Sequence, residues 1–247
     1  MPSATGKRRK LLIDIHSLIP DDLLTSFHLS EDVAFRKQAV VLFGPAGCGK
    51  GYWAKRQPAV HLTADAMVYS RKCRLALHKT WKDRMGSKEA IKKFDNLFTR
   101  CKTIGLHVMV LAGICADHGA DIIVEGTYSY ELGDALKEMG FRVQCVCVIA
   151  PPDVAFNNIK RREASNEPVV SFLMSMNTYE KYMRQHYAPV VISYLDFIFH
   201  HELGKVRVVD SDGTDASGAF VGIVGTIVCG SLRGTTCAPK KITASIP

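Results

Sequence analysis

The fold of this chain is decided by the stretch Gly44–Gly51, which has the sequence GPAGCGKG. It follows the apolar run Ala39–Phe43 and precedes Tyr52–Arg56, which can continue as a helix. A strand, a glycine-rich turn ending in lysine, and a helix form the context of a P-loop. The glycines let the backbone curl so that several N–H groups point at phosphate oxygens, and the start of the helix adds its positive end. The stretch therefore predicts a phosphate-binding loop.

One residue of this loop departs from the usual pattern. Ser or Thr normally follows the lysine and its hydroxyl binds Mg²⁺, whereas this chain has Gly51. Mg²⁺ would then be held through water by nearby carboxylates, because it gives up its waters reluctantly. Lys50 supplies a mobile cation for the outer phosphates and is a candidate catalytic residue. The alternative is a glycine turn with a surface lysine. The residues expected to bind the nucleotide are Gly44, Gly47, Cys48, Gly49, Lys50, Gly51 and Tyr52.

Apolar runs alternate with helical patterns along the rest of the chain. Together with the phosphate-binding loop, this alternation predicts an α/β P-loop NTPase fold with a five-stranded parallel sheet and helices on both faces. We also expect a frayed basic tail over residues 1–10, for which a nuclear or nucleic-acid patch is the alternative. A helix is expected over 20–37 and a buried helical run over Leu106–Cys115. Beyond the first strand, the predicted strands are Pro58–Leu62, Asp121–Thr127, Phe141–Ile149 and Lys205–Asp210.

Two acidic residues come directly after predicted strands. Asp65 follows the second strand, and ligands of open parallel sheets bind beyond the carboxyl ends of the strands. It can therefore accept a hydroxyl proton as a catalytic base, or it can simply cap the helix that follows. Glu125 ends the third strand and faces either the phosphates or the acceptor substrate, with a helix N-terminal carboxylate as the alternative. Both acids are candidates for holding a metal ion through water.

Arg161 and Arg162 end a predicted helix after the fourth strand, next to Asn166-Glu167-Pro168, which breaks it. Arginines on a lid can close over a transferred phosphoryl group and stabilise its charge. The alternative is that both are surface charges.

Residues 69–84 interleave basic and aromatic side chains. This pattern suits either a nucleobase or nucleic-acid contact or a solvated amphipathic segment.

Composition narrows the class of protein without naming a substrate. The chain has 247 residues and a formal net charge of +8, which favours anionic ligands in general. Its eight cysteines contain no pair of Cys-x-x-Cys motifs, so neither a zinc site nor a disulfide framework is expected. No apolar run reaches the roughly 20 residues that span a bilayer, and no signal peptide is apparent. We expect a cytoplasmic protein with no membrane partner.

The order of these motifs resembles the zeta-toxin group of P-loop kinases, which is related in build to chloramphenicol phosphotransferase, polynucleotide kinase and adenylate kinase. The resemblance covers residues 38–213 in outline. It implies that Gly47–Tyr52 bind ATP or GTP, that Asp65 is the base, that Glu125 and Thr127 lie on the substrate side, and that Arg161 contacts the transferred phosphate. Arg162 is a further candidate on the substrate side. The group has Thr or Ser where this chain has Gly51.

The resemblance implies a kinase domain over residues 38–213 with a helical lid around 161–170. It would be preceded by an N-terminal tail and helix over 1–37 and followed by a partly disordered extension over 214–247. The expected reaction moves the γ-phosphate of ATP or GTP, with Mg²⁺, to a hydroxyl of a nucleotide-sugar, nucleotide or similar small metabolite. The alternatives are a nucleotide-binding module with weak catalysis and a polynucleotide 5′-hydroxyl kinase, for which nucleic acid is the partner.

Overall fold

A six-stranded sheet forms the centre of the molecule, with the strand order β1-β3-β4-β2-β5-β6. The computed structural model describes residues 4–16, 28–30, 32–63, 106–165, 176–200 and 206–233. The strands are β1 (His28–Leu29), β2 (Gln38–Phe43), β3 (Val60–Thr63), β4 (Ile122–Glu125), β5 (Arg142–Val148) and β6 (Arg207–Val209).

Five of these strands are parallel, as the sequence predicted. β2 lies in the middle and pairs with β4 on one side and β5 on the other. The two-residue β1 pairs antiparallel with β3 at the edge and was not predicted. In the register of the sheet, Glu125 of β4 lies opposite both Leu42 of β2 and Thr63 of β3. Three neighbouring strands therefore end at the same level, next to the glycine-rich loop.

Helices cover the sheet on both faces. Consecutive residues Val41–Phe43 and Cys145–Val148 are buried, which a strand with one solvated face would not show. Cys145 and Cys147 of β5 are free, buried thiols. No helix in the described part of the chain is long and apolar enough to cross a membrane. The helices of the described residues are α1 (Ala4–His16), α2 (Lys50–Lys55), α3 (Leu106–His118), α4 (Gly133–Glu138), α5 (Pro152–Ala164), α6 (Tyr179–Tyr182), α7 (Ala188–His200) and α8 (Ser217–Arg233).

Two segments depart from regular helix. A 3₁₀ turn over Ser129–Leu132 precedes α4, and a π-helical segment over Met183–Tyr187 joins α6 to α7. α6 begins after Thr178, whose side chain accepts the backbone N–H of Lys181 at 3.3 Å and so caps the first turn. π-helical turns are rare, and they occur frequently at functional sites.

The basic N-terminal segment is helical, so the expectation of a frayed tail over 1–10 is wrong for residues 4–10. Leu11 and Ile15 of α1 are fully buried, and the helix packs against α3. Asp14 of α1 lies 3.3 Å from His118 Nε2 of α3. The basic residues occupy the turns outside this apolar contact, so packing orders a segment that charge alone indicated as solvated.

The expected helix over 20–37 is also wrong for its described part. His28–Leu29 form β1, and residues 32–37 contain no helix. Part of the predicted lid (166–170) and the tail beyond residue 233 lie outside the described residues. The described part of the C-terminal extension contains α8, which packs against β6 and α7.

A buried carboxylate fixes the starts of the two central strands. Asp121 precedes β4, and its Oδ1 accepts the backbone N–H groups of Arg36 at 2.9 Å and Gln38 at 3.0 Å. Its Oδ2 accepts Nε–H of Arg36 at 3.0 Å. This clasp sets β2 and β4 side by side at their amino ends and thereby aligns their carboxyl ends, where the loop lies.

Candidate active site at the carboxyl ends of the strands

The glycine-rich loop leaves β2 at Gly44 and enters α2 at Lys50. Gly47 has φ +86°, and a Cβ on it would lie 2.1 Å from the Ala155 carbonyl oxygen of α5. Gly49 has φ +88°, and a Cβ there would lie 2.6 Å from Ser211 Cβ. Both the backbone conformation and the space therefore require glycine, and the loop adopts the curled form that the sequence predicted.

Lys50 lies folded over its own loop and is 8% exposed. Its Nζ donates to the carbonyl oxygens of Gly44 at 2.9 Å and Pro45 at 3.1 Å. Phosphate oxygens of a nucleotide are stronger acceptors for an ammonium group than these carbonyls. The side chain is thus stored at the loop, within reach of an anionic ligand.

Side chains from distant parts of the chain hold the loop from outside. Asn158 Nδ2 of α5 donates to the Gly47 carbonyl at 2.9 Å. Tyr182 OH donates to the Ala46 carbonyl at 2.7 Å, and His186 Nε2 accepts the Ala46 N–H at 3.1 Å. Burial, together with the charge of Lys50, lowers the pKa of His186 to about 4, so its ring is neutral and can accept this bond. Sequence reasoning missed these contacts, which cross 111 to 140 residues of chain.

Glu125 lies beside the loop, at the end of β4, with its side chain 17% exposed. Its Oε2 lies 2.6 Å from His61 Nε2 of β3. Burial alone would raise the pKa of Glu125, but the His61 hydrogen bond and the positive charges of Lys50, His61 and Arg162 outweigh it and lower that pKa. The carboxylate is therefore ionised, and the bonded His61 nitrogen carries the hydrogen.

Gly51 leaves space directly in front of this carboxylate. A Cβ on Gly51 would lie 3.4 Å from Glu125 Oε2 and 3.7 Å from Oε1. No group of three or more His, Cys, Asp or Glu residues that could bind a metal occurs within the described ranges. A divalent cation here would need the phosphate oxygens of a nucleotide together with Glu125, and this donor set of hard oxygens suits Mg²⁺.

The two predicted lid arginines end α5 and are both exposed. The charge of Arg162 contributes to lowering the pKa of Glu125, so Arg162 is electrostatically linked to the site. Thr127 follows β4, and its carbonyl oxygen accepts Tyr194 OH at 2.7 Å. The predicted base, Asp65, and the basic segment 69–84 lie outside the described residues.

Cys48 and Tyr52 of the loop region differ in burial and in their contacts. Cys48 is buried, and desolvation raises the pKa of its thiol to about 12 although the charge of Lys50 opposes the shift. It is a packing residue rather than a nucleophile. Tyr52 is 56% exposed, and the guanidinium of Arg56 lies 4.3 Å from its ring centroid. Arg56 also pairs with Asp212 at 3.1 Å, which joins α2 to the loop after β6.

The structure combines a central parallel strand, a glycine-rich loop and a lysine, Lys50, that folds back over this loop. These features define a P-loop nucleotide-binding protein of the α/β class. A family model described as an AAA domain matches residues 40–189, which is more than half of the chain. The chain belongs to that AAA-domain family.

Two further comparisons add little to this assignment. The curated proteins include no match. One solved structure, from a study of the PezAT chromosomal toxin–antitoxin system of Streptococcus pneumoniae, aligns with a TM-score of 0.43 and 13% identity. The alignment covers 94% of this chain and 99% of that chain. A likeness at this level carries no argument about activity.

Proposed function

We propose that this protein transfers the γ-phosphoryl group of ATP or GTP to a hydroxyl of a small, nucleotide-like acceptor. The bond between the γ-phosphorus and the β–γ bridging oxygen breaks, and a bond between that phosphorus and the acceptor oxygen forms. The acceptor proton goes to a carboxylate, for which Asp65 is the candidate. Mg²⁺ would neutralise charge on the phosphates. The order of motifs that resembles the zeta-toxin kinases supports this proposal.

One observation carries the proposal: an ionised, fixed carboxylate lies against the phosphate-binding loop. A loop that merely binds a nucleotide needs its amides and Lys50. Glu125 adds a negative group beside Gly51, and its pKa responds to the charges of Lys50 and Arg162. Opposite charges on both sides of one position suit a site that must hold phosphate oxygens together with a metal ion or an acceptor hydroxyl.

The test is transfer of label from γ-labelled ATP and GTP, with Mg²⁺, to a panel of acceptors. The panel holds uridine-diphosphate sugars, nucleosides, nucleoside monophosphates and 5′-hydroxyl oligonucleotides. Lys50→Ala should lower transfer by about 100- to 1,000-fold, since it removes a cation aimed at developing charge. Lys55→Ala is the matched control, because Lys55 lies at the exposed end of the same helix and should leave transfer unchanged.

Asp65→Asn separates chemistry from binding. We expect transfer to be lost while nucleotide affinity is kept, because the amide resembles the carboxylate in shape but accepts no proton. Full activity in Asp65→Asn would show that another group is the base. Transfer that survives Lys50→Ala would contradict the role of the loop itself.

Gly51 favours a second candidate function, a nucleotide-binding module with weak catalysis. Without the usual hydroxyl ligand, nucleotide could bind tightly while transfer is slow. Tight binding of ATP with no labelled acceptor would favour this candidate. Gly51→Thr decides between the two functions, because a restored hydroxyl should then raise transfer, or the ATP hydrolysis that accompanies it, above that of the wild type.

A further inference from the structure

Glu125 occupies the side of Gly51 where a hydroxyl would otherwise project. All three terminal atoms of this carboxyl group lie within 3.9 Å of the position that a Cβ on Gly51 would take. Gly51 has an ordinary helical backbone, so glycine is not required there by conformation. The missing side chain therefore leaves a gap whose wall is a carboxylate.

His61 fixes this carboxylate in place. The 2.6 Å bond to Oε2 is short for an N–H donor and is typical of a charge-assisted pair. The His61 side chain is 9% exposed and projects from β3, which pairs with both β1 and β4. Among the described residues, Oε2 has this partner, while Oε1 accepts no side-chain hydrogen bond. One oxygen of the carboxylate is thus anchored by His61.

A second histidine–carboxylate pair within the described residues joins two helices. His118 Nδ1 donates to the Ile114 carbonyl at 2.9 Å, and its Nε2 lies 3.3 Å from Asp14 Oδ2, between α3 and α1. His118 ends α3, four residues before β4 begins. The His61–Glu125 pair lies at the carboxyl ends of the strands, where the charge of Lys50 reaches it. Its location, rather than its chemistry alone, marks it as functional.

We propose that His61 is a positioning residue that holds the Glu125 carboxylate in the gap beside Gly51. This carboxylate replaces the missing Ser or Thr hydroxyl as the protein's oxygen ligand for the divalent cation of the bound nucleotide. The cation is of the Mg²⁺ class, because the donors are a carboxylate and phosphate oxygens. The inference rests on nucleotide binding as part of the proposed function, and it needs no acceptor. Its test can therefore fail or succeed independently of the transfer assay.

The experiment measures how strongly Mg²⁺ improves ATP binding, by calorimetry with Mg²⁺ and with a chelator, and the Mg²⁺ concentration that gives half of the improvement. His61→Leu removes the donor, and we expect that concentration to rise about 10- to 100-fold, the usual effect of losing a group that orients a metal ligand. His61→Gln retains an N–H near the Nε2 position and should stay close to the wild type. Affinity for ATP in the chelator should be similar in all three proteins.

His118→Leu is the matched control. It removes a histidine–carboxylate pair that lies between two helices and should lower stability without changing the Mg²⁺ dependence. The suppressor is Gly51→Ser. In the His61→Leu background it supplies a hydroxyl at the usual position and should restore most of the lost Mg²⁺ coupling. A general loss of packing would be rescued neither by Gly51→Ser nor by His61→Gln.

Several results would overturn the proposal. One is an unchanged Mg²⁺ dependence in folded His61→Leu; another is His61→Gln being as defective as His61→Leu. An equal defect in His118→Leu would show a structural effect alone. If His61→Leu does not fold, Glu125→Gln decides, because a wild-type Mg²⁺ dependence in that variant excludes Glu125 as the ligand. A wild type whose ATP affinity ignores Mg²⁺ also refutes the inference, whatever the transfer assay gives.

Discussion

Acid should loosen the P-loop through one buried side chain, His186. Its Nε2 accepts the Ala46 N–H at 3.1 Å, while Tyr182 OH donates to the carbonyl of the same residue at 2.7 Å. Protonation puts a hydrogen on Nε2, so the acceptor is lost and Ala46 N–H is left unpaired. It also places a second positive charge near Lys50, whose charge contributes to lowering the pKa of His186. The fold therefore tolerates His186 only as the neutral ring.

The magnitude follows from the pKa of His186, which lies at about 4 in the folded protein against an ordinary value of 6.5. Between these two values the unfolded chain binds more protons than the folded one, so stability falls as the pH falls. Tenfold in proton affinity is worth about 1.4 kcal/mol. The full effect is therefore about 3.4 kcal/mol, nearly absent above pH 7 and about three quarters complete at pH 4.5.

His186→Gln isolates this effect, because its Oε1 can accept the Ala46 N–H but does not titrate. Urea unfolding of both proteins from pH 7.5 to 4.5 gives the difference in free energy of unfolding at each pH. We expect the wild type to lose about 2.5 kcal/mol more than His186→Gln over this range. Tyr182→Phe is the companion control, since it should cost about 1 kcal/mol at every pH. A wild-type and His186→Gln difference that stays constant with pH would refute the reasoning.

Two substitutions test the contacts that shape the loop and align the strands. Gly47→Ala forces a Cβ to within 2.1 Å of the Ala155 carbonyl oxygen at a φ of +86°, so ATP affinity measured by calorimetry should fall at least about tenfold. Gly222→Ala on α8 is the control, because a Cβ there meets nothing within 4 Å and should leave ATP affinity unchanged. Asp121→Asn weakens the buried clasp at the amino ends of β2 and β4 and should cost about 1–3 kcal/mol in urea unfolding, whereas Asp134→Asn, in an exposed 3.7 Å ion pair, should change stability by less than about 0.5 kcal/mol. A smaller loss of unfolding free energy in Asp121→Asn than in Asp134→Asn would contradict the role of Asp121 in aligning the strands.

The parallel sheet could be predicted from the sequence because its strands contain short apolar runs that are bounded by turn residues. Val41–Phe43 and Cys145–Val148 are buried on both faces, and such runs stand out from any amphipathic helix around them. The P-loop was visible for a related reason: its glycines occur where the backbone itself needs them. Gly47 is required by its backbone conformation and by the approach of Ala155, so the glycine pattern can be recognised from one sequence alone.

The partners of the loop could not be predicted in this way. His186 and Tyr182 lie in a helical segment with an apolar face, and nothing local distinguishes a histidine that meets Ala46 from one that fills the core. His61 was hidden for the same reason, since a single polar residue within a short strand is no signal by itself. The helix α1 was missed because its charges outnumber the two positions, Leu11 and Ile15, that fix it to α3.

Gly51 shows how a departure from a motif changes meaning once its neighbours are known. In the sequence it is a missing metal ligand and weakens the case for catalysis. In the structure the Glu125 carboxylate borders the gap that Gly51 leaves, and His61 prevents that carboxylate from turning away. A Cβ at position 51 would make only van der Waals contact with the carboxylate, which lies where it can serve in place of a hydroxyl. The chemically meaningful unit is therefore the set Gly51, Glu125 and His61, which comes from one helix and two strands. A search for nucleotide sites that tests only the residue after the lysine would misjudge such a protein.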